Sequence, residues 1–147
     1  SYHQSGFYTE LSDDGRRQLW DTIIGTLANI HKADVQELGL DFVPGGRRGD
    51  DPQRYMLQYW RRYLDEWIKD DPSEVVPVYD AALTWLEANQ PDCPRPSLVW
   101  GDAKLGNVMF DVGTHDVAAV LDWEIAMIGD PQVEDGGEQT GVPGRVA

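Results

Sequence analysis

Two stretches decide the fold of this chain: LVWGDAKLGN at residues 98–107 and VLDWE at residues 120–124. The apolar run 97–100 predicts a buried strand that ends at a glycine directly before Asp102. The second stretch places another acid, Asp122, immediately after an apolar run. The sequence therefore predicts two carboxylates, each at the end of a short strand.

An antiparallel β-hairpin is predicted between these two acids. The apolar runs 107–111 and 117–121 are separated by residues that include Gly, Thr and Asp, which suit a turn. If the hairpin is centred on that turn, Asn107 lies opposite Leu121, with Cα atoms about 4.5 to 5.5 Å apart. We therefore expect Asn107 and Asp122 to meet at the end of the hairpin where the loop from the first strand arrives.

This predicted cluster contains two carboxylates and one amide but no His or Cys. Oxygen ligands of this kind suit a hard cation such as Mg²⁺, which takes one or two carboxylates together with phosphate oxygens and water. Zinc is a poor candidate, because it is bound mainly by nitrogen and sulfur ligands. The constellation predicts a phosphoryl-transfer site.

The segment from Leu98 to Pro131 resembles the catalytic core of the aminoglycoside phosphotransferase family, which are protein-kinase-like enzymes that phosphorylate small-molecule hydroxyls. The family pattern H-G-D-x-x-x-x-N, hairpin, metal-binding Asp and G-D-P corresponds here to Gly101-Asp102, Asn107, Asp122 and Gly129-Asp130-Pro131. The L-D-W-E form at 121–124 is most similar to the branch related to domains found beside acyl-CoA dehydrogenases. With a weaker match at 27–34, the resemblance covers roughly residues 10–135.

The resemblance implies a role for each polar side chain. Asp102 would be the catalytic base that orients and deprotonates the acceptor hydroxyl. Asn107 would hold Mg²⁺, and Asp122 would hold Mg²⁺ that bridges the phosphates of ATP. Lys104 would contact the transferred phosphate, as a lysine at this position does in many protein kinases. Trp100 replaces the usual family His, and we expect it to be tolerated because its indole keeps one donor and adds apolar area.

The sequence pattern of the first two-thirds of the chain predicts helices. Ser12 is the predicted N-cap of a helix to about His31, Pro52 opens a second helix with a broad apolar face, and a third runs from about 74 to 89. His31 is interpreted as a packing histidine without a catalytic role. The predicted fold class is α+β, a mainly helical kinase-like C-terminal lobe with a small antiparallel hairpin that carries the catalytic loop and the metal-binding Asp.

Composition restricts the partners of the chain. Twelve basic and 26 acidic residues give a net charge of −14, which argues against nucleic acid and anionic membranes as partners. The single cysteine, Cys93, allows no intrachain disulfide and fits a cytoplasmic location. No segment approaches the roughly 18 apolar residues that cross a bilayer.

A kinase-like enzyme also needs a nucleotide lobe, with a Gly-rich strand-turn-strand and a strand lysine paired with a helix glutamate. None of the three lysines lies in an apolar strand, and the Gly-rich stretch 44–49 joins two predicted helices. We therefore expect residues 1–135 to be the catalytic and acceptor lobe of a larger enzyme, inactive without the N-terminal nucleotide lobe. Residues 136–147 have little helix propensity and no apolar face, and are expected to be a disordered or non-family tail.

Three classes of function follow from the sequence. The favoured class is an ATP-dependent phosphotransferase with a small-molecule hydroxyl acceptor. The second is a non-catalytic binding module or degenerate kinase remnant. The third is a magnesium-dependent phosphohydrolase with an Asp nucleophile, which the Asp-to-Asn spacing suits least. The family resemblance leaves aminoglycosides, hydroxyacyl thioesters, choline and sugars open as acceptors, and the L-D-W-E form favours a hydroxyacyl type.

Overall fold

The computed structural model of the chain describes residues 6–70 and 77–134, without the side chains of 67–70. Its helices are α1 (Phe7–Glu10), α2 (Asp13–His31), α3 (Pro52–Asp70) and α4 (Pro77–Ala88). Its strands are β1 (Ser97–Val99), β2 (Val108–Phe110), β3 (Val117–Val120) and β4 (Met127–Gly129). Short 3₁₀ turns at Leu105–Asn107 and Pro131–Glu134 precede β2 and follow β4. The helical first part and the small antiparallel sheets of the second part confirm the α+β class, while the predicted tail at 136–147 lies outside the described residues.

Helix α2 begins and ends where the sequence predicts. The Ser12 hydroxyl accepts a hydrogen bond from the Gly15 amide at 3.2 Å, which satisfies one of the free N–H groups of the first turn. One stripe with a four-residue spacing is buried: Leu19, Ile23 and Leu27. Ile24, which the same pattern places on the apolar face, is 49% exposed. The buried stripe is therefore narrower than predicted.

Helix α3 begins at Pro52 as predicted, and the Asp51 carboxylate accepts a hydrogen bond from the Arg54 amide at 3.1 Å. The predicted burial of its broad apolar face is wrong for Trp60 and Tyr63, which are 41% and 50% exposed. Leu57 is the one buried side chain among those that the structure describes on this helix. Within the described part of the chain, the main packing partners of α3 are α4 and β4.

Helix α4 has no buried residue, although eight of its twelve residues are apolar or aromatic by type, if its three alanines are included and its proline is not. Residues 74–76, the predicted first turn of this helix, lie outside the described residues. Arg61 of α3 joins the two helices by donating to the carboxylates of Asp80 at 2.5 Å and Glu87 at 3.2 Å, and to the hydroxyl of Thr84 at 3.2 Å. The pairing of α3 with α4 therefore depends strongly on polar contacts at a partly exposed surface.

The strands form two separate antiparallel pairs, β1 with β4 and β2 with β3. The β2–β3 hairpin confirms the prediction, with Val108 opposite Val120 and an irregularity after Met109. Strand β4 was missed by the sequence analysis, because three residues are too few to show an alternating pattern. Backbone contact with a preceding loop supports β4, since the Ile128 amide donates to the Pro44 carbonyl at 2.8 Å.

Two small clusters of buried side chains connect α2 to the loop that follows β1. One contains Leu19, Ile23 and Leu105, and the other contains Leu27, Trp100 and Ala103. Three residues of α2 that are four positions apart therefore contact this loop or the turn that ends it. Helix α2 therefore supports residues 100–107 by packing against them. Within the described residues, none of the helices has the length and apolar character needed to cross a membrane.

Candidate active site

The loop after β1 starts with a sharp turn at Gly101. This residue has φ of 92°, and a Cβ atom added there would lie 2.7 Å from the carbonyl oxygen of Ile125. Both the left-handed backbone and the lack of space require glycine. The Gly101 amide donates to a carboxylate oxygen of Glu134 at 2.6 Å. The turn directs the chain away from β1 and presents Asp102 as the next residue.

Asp102 lies at the centre of a group of three polar side chains. Its Oδ2 atom accepts hydrogen bonds from Lys104 Nζ at 2.5 Å and from Asn107 Nδ2 at 2.8 Å. The hydrogen bond from Lys104 is the main cause that holds the pKa of Asp102 below its usual range, and Asn107 contributes in the same direction. Three of the four site residues predicted from the sequence are therefore in direct contact, and Asp102 is an anion at neutral pH.

Lys104 is the cation of this group, with a side chain that is 47% exposed. Its pKa is raised, chiefly by the hydrogen bond to Asp102 and further by the negative charges of Asp102, Asp122 and Glu124. Asp122 and Glu124 are therefore close enough to act on the ammonium group electrostatically. One lysine faces three acids at this end of the hairpin.

Asn107 is buried and joins the loop to the hairpin. Its side-chain nitrogen donates to both the carboxylate and the backbone carbonyl of Asp102, at 2.8 and 3.1 Å. Its own backbone carbonyl accepts a hydrogen bond from the Leu121 amide at 2.8 Å. This bond confirms the predicted pairing of Asn107 with Leu121, and it brings the residue after Leu121, Asp122, to the same end of the hairpin.

Asp122 has a φ of 64°, which is uncommon for a residue other than glycine. The indole N–H of Trp100 donates to the carbonyls of Leu121 at 2.8 Å and Asp122 at 3.1 Å. The Trp100 ring is 2% exposed and lies 6.0 Å from the Trp123 ring, centroid to centroid. Trp100 therefore provides a donor and a packed ring that hold the backbone on both sides of the left-handed residue.

The donor set of this site fits a magnesium ion in chemical type. Asp122 is exposed, and its carboxylate has no hydrogen-bond or ion-pair partner among the described residues. The Asn107 amide uses its nitrogen on Asp102, which leaves its oxygen available as a ligand. No group of three or more His, Cys, Asp or Glu residues is arranged as a metal site within residues 6–70 and 77–134. Mg²⁺ does not need such a cage, because phosphate oxygens and water complete its coordination.

Glu134 is a site residue that the sequence analysis missed. Its side chain is 2% exposed, with one carboxylate oxygen on the Gly101 amide and the other 2.6 Å from Nε2 of His31. The interpretation of His31 as a packing histidine with a satisfied ring is confirmed by this contact. The only sequence feature that could have identified Glu134 is its position just after Gly129-Asp130-Pro131, where the family pattern has an acid.

Comparisons with known proteins agree with this geometry. The family model described as APH, phosphotransferase enzyme family, matches residues 2–134. Acyl-CoA dehydrogenase family member 11 from Rattus norvegicus is 33% identical over 125 residues, which is 82% of this chain and 15% of that protein. Acyl-CoA dehydrogenase family member 10 from Mus musculus is 31% identical over 124 residues, 82% of this chain and 11% of that protein. The chain thus spans only a small part of these relatives.

Two further similarities are to a protein named as a hygromycin-B kinase and to one named as an aminoglycoside phosphotransferase. Hygromycin-B 4-O-kinase from Escherichia coli is 34% identical over 85 residues, 57% of this chain and 21% of that protein. A crystal structure from Ralstonia eutropha, named as an aminoglycoside phosphotransferase, superposes with a TM-score of 0.63 at 30% identity, covering 82% of this chain and 35% of that one. The chain therefore belongs to the phosphotransferase enzyme family and has its kinase-like fold, on the branch that includes acyl-CoA dehydrogenase family members 10 and 11.

Proposed function

We propose that this chain is the catalytic and acceptor lobe of an enzyme that transfers the terminal phosphoryl group of ATP to a hydroxyl of a small molecule. The observation that carries the proposal is the hydrogen-bonded group of Asp102, Lys104 and Asn107, with Asp122 at the adjoining end of the hairpin. A nucleotide lobe with a Gly-rich loop and a strand lysine is assigned to further sequence of a longer polypeptide. The small share of the relatives that this chain spans supports that assignment.

Asp102 is assigned as the residue that orients the acceptor hydroxyl and takes its proton. The hydroxyl donates to the Asp102 carboxylate, its oxygen forms a bond to the terminal phosphorus, and the bond from that phosphorus to the bridging oxygen breaks to release ADP. A carboxylate with a lowered pKa is a weak base, so proton transfer is expected late, after the bond to the leaving group has largely broken. Orientation is therefore the larger part of its contribution.

Lys104 is assigned as the cation that stabilises the transferred phosphoryl group. Its ammonium group donates to Oδ2 of Asp102, and almost half of its side chain is exposed. A lysine has three donors on a flexible stem, so it can keep one contact with Asp102 while another reaches a phosphate oxygen. Binding of ATP and acceptor is therefore expected to redirect Lys104 without breaking the group apart.

Asn107 and Asp122 are assigned as the magnesium ligands. When bound there, Mg²⁺ would neutralise charge on the phosphates of ATP. The double hydrogen bond from Asn107 to Asp102 fixes the orientation of the Asn107 amide, and the hairpin places the exposed Asp122 carboxylate at the same end. We assign the soluble acceptor to the hydroxyacyl thioester class, because the L-D-W-E segment and the acyl-CoA dehydrogenase relatives favour it. A cationic aminoglycoside is the second candidate, favoured by the net charge of −14 and the Escherichia coli kinase.

The test uses the longest natural polypeptide that contains this chain, incubated with ATP labelled in its terminal phosphate. Hydroxyacyl thioesters and aminoglycosides are offered separately, and the phosphorylated product is identified by mass spectrometry. Asp102→Asn should abolish most of the transfer, whereas Asp21→Asn, on the exposed side of α2, should not change it. Phosphate release without an acceptor, through an acid-labile aspartyl phosphate, would favour a phosphohydrolase. Absence of magnesium-dependent nucleotide binding would favour a non-catalytic module.

A further inference from the structure

Arg16 of α2 binds the C-terminal end of the short helix α1. Its guanidinium donates to the backbone carbonyls of Tyr8 at 3.2 Å and Thr9 at 3.3 Å. The carbonyls of the last turn of a helix have no intrahelical partner, so they need donors from elsewhere. A guanidinium carries its donors in a rigid planar fork, which lets one side chain serve two carbonyls at once. Arg16 therefore connects the backbone of α1 to the start of α2.

The side chain of Tyr8 completes this contact. The Cζ atom of Arg16 lies over the Tyr8 ring, 5.6 Å from its centroid, where the face of the ring attracts a cation. The phenol oxygen of Tyr8 accepts a hydrogen bond from the Trp20 indole at 3.3 Å. The ion pair between Arg16 and Asp13 adds little by comparison, because the Asp13 side chain is 93% exposed. The main partner of Arg16 is therefore α1, through both its backbone and its tyrosine.

Helix α1 also packs against the β2–β3 hairpin, which carries the proposed catalytic group at one end. The Phe7 ring lies 5.7 Å from the Phe110 ring and stacks on the His115 ring at 6.2 Å, centroid to centroid. Tyr8 packs on the buried cluster that contains Leu105, a residue of the loop that follows β1. The segment that contains α1 is therefore fixed to α2 on one side and to the hairpin and its loop on the other.

We propose that Arg16 is a positioning residue for phosphoryl transfer, which fixes residues 6–11 and, through them, the orientation of the nucleotide lobe relative to Asp102. This inference rests on the proposed function, which assigns a nucleotide lobe to further sequence, and on the expectation that this lobe precedes residue 6. Residues 6–11 then lead from one lobe into the other, so their orientation decides where the terminal phosphate of ATP meets the acceptor hydroxyl. The guanidinium of Arg16 is engaged by α1 and Asp13, so it acts through the backbone and not on the reacting groups.

The kinetic test compares Arg16→Met with Arg17→Met in the longest natural polypeptide that contains this chain. Methionine keeps much of the stem but removes the donors to the two carbonyls of α1. A misplacement of about 1 Å between reacting groups costs about 10²-fold in rate, so kcat should fall by about 10- to 10²-fold. The Kd for ATP and the KM for the acceptor should stay nearly unchanged, because the groups that bind each substrate are intact.

Arg17→Met is the matched control for this change. Arg17 pairs with Asp14 as Arg16 pairs with Asp13, at 3.2 Å and three positions apart, but its side chain is 73% exposed. This control should keep the original kcat. Turnover is expressed per nucleotide-binding site, counted by titration, so that a loss of folded protein is not taken for a slower reaction. An original kcat in Arg16→Met, or a rise in the Kd for ATP alone, would contradict the proposal.

Two further variants separate the contacts of Arg16. Arg16→Lys keeps a cation but replaces the planar fork with a point donor, so kcat should lie between the values for arginine and methionine. Asp13→Asn removes only the exposed ion pair and should keep the original kcat. If Arg16→Met does not fold, Arg16→Lys still decides the question, since a lysine variant as active as the original protein would overturn the proposal.

Hydrogen exchange gives a readout that needs no activity. The Thr9 amide donates to the Gly6 carbonyl at 3.0 Å, and it should exchange faster in Arg16→Met than in the original protein. The Asn107 amide donates to the Lys104 carbonyl at 3.0 Å, and it should keep its rate. Unchanged exchange at Thr9 would show that Arg16 does not fix this segment. Faster exchange at Asn107 as well would show that the variant loosens the catalytic turn itself. Either result would overturn the positioning role.

The failure of this inference can be distinguished from the failure of the proposed function. If Asp102→Asn keeps its turnover, the proposed function itself fails, and the role of Arg16 fails with it. If Asp102 is essential but Arg16→Met loosens α1 and keeps the original kcat, only the role of Arg16 fails. Loss of kcat in Arg16→Met, with faster exchange confined to the segment of α1, is the result expected if both hold.

Discussion

The loop at residues 100–107 and the pair of helices α3 and α4 are built in opposite ways. The loop is held by buried groups: apolar side chains of α2, its own Trp100 ring and the carboxylate of Glu134. Helix α4 exposes most of its apolar side chains, α3 exposes Trp60 and Tyr63, and the two helices meet around Arg61. Rigid support at the loop fits residues that must keep one geometry for chemistry. An exposed helical pair fits a surface whose shape can vary with the acceptor.

The largest expected effect is on the chemistry of the loop. Asp102→Ala removes the carboxylate that receives both the Lys104 and the Asn107 hydrogen bonds. If Asp102 orients and deprotonates the acceptor, kcat should fall by about 10²- to 10⁴-fold, or about 3 to 5 kcal/mol of barrier. Steady-state kinetics on the longest natural polypeptide checks this result. A variant that keeps most of its turnover would remove the assigned role, and Asp21→Asn is the surface control.

The second prediction concerns the backbone support of Asp122. Trp100→Phe keeps a buried ring but leaves the carbonyls of Leu121 and Asp122 without the indole donor. The loss should lower the free energy of unfolding by about 1 to 2 kcal/mol, because two part-buried carbonyls lose their donor. Urea denaturation measures the change, and Trp100→His, which restores a ring donor, should recover part of it. If phenylalanine is as stable as tryptophan, the indole hydrogen bonds do not support the hairpin end.

The third prediction is a strain effect at the start of the loop. Gly101→Ala introduces a Cβ atom 2.7 Å from the Ile125 carbonyl oxygen in a left-handed backbone. The backbone term alone should cost about 1 to 2 kcal/mol of unfolding free energy, before any displacement of Ile125. Gly25→Ala in α2, where a Cβ meets nothing within 4 Å, is the matched control and should be neutral or stabilising. Equal melting temperatures for the two variants would show that the turn at Gly101 is not constrained.

The pH dependence separates Asp102 from an ordinary exposed acid. Its pKa is lowered in the folded protein, so its contribution to stability is fully present above the ordinary carboxyl value of about 3.9 and is lost as pH falls through the lower folded value. The acidic limb of kcat/KM, which reports the free enzyme, should therefore lie below the ordinary carboxyl range. Lys104→Met removes the main cause that lowers the pKa of Asp102. The acidic limb of the pH profile should therefore move to higher pH. An unchanged limb would show that Lys104 does not control the ionisation of Asp102.

Local patterns were sufficient to predict the hairpin and the meeting of Asp102 with Asn107 at its end, whereas Lys104 was assigned only through the family resemblance. The turn residues between the two apolar runs fixed the register, so Asn107 pairs with Leu121 as predicted. Long-range contacts could not be predicted in the same way. Glu134 and His31 are 103 positions apart, and no periodic pattern relates residues at that distance. The apolar pattern of α3 did show which side chains share a face, but Trp60 and Tyr63 prove that a shared face does not specify what covers it.

A change at Arg61 should have the smallest effect on activity. It tests the second region of the comparison, the pair of helices α3 and α4. Arg61→Met keeps much of the stem but removes the hydrogen bonds to Asp80, Thr84 and Glu87, so α4 should open more often on the side facing α3. Hydrogen exchange should become faster in α4 while the amide of Gly101 stays protected, because Glu134 and α2 hold the loop independently of the two helices. If the exposed helical pair binds the acceptor while the loop performs the chemistry, KM for the acceptor should rise with little change in kcat. Arg62→Met, on the exposed side of the same helix, is the matched control. A parallel loss of protection at Gly101 would show that the helical pair and the loop open together, and the contrast between them would then not hold.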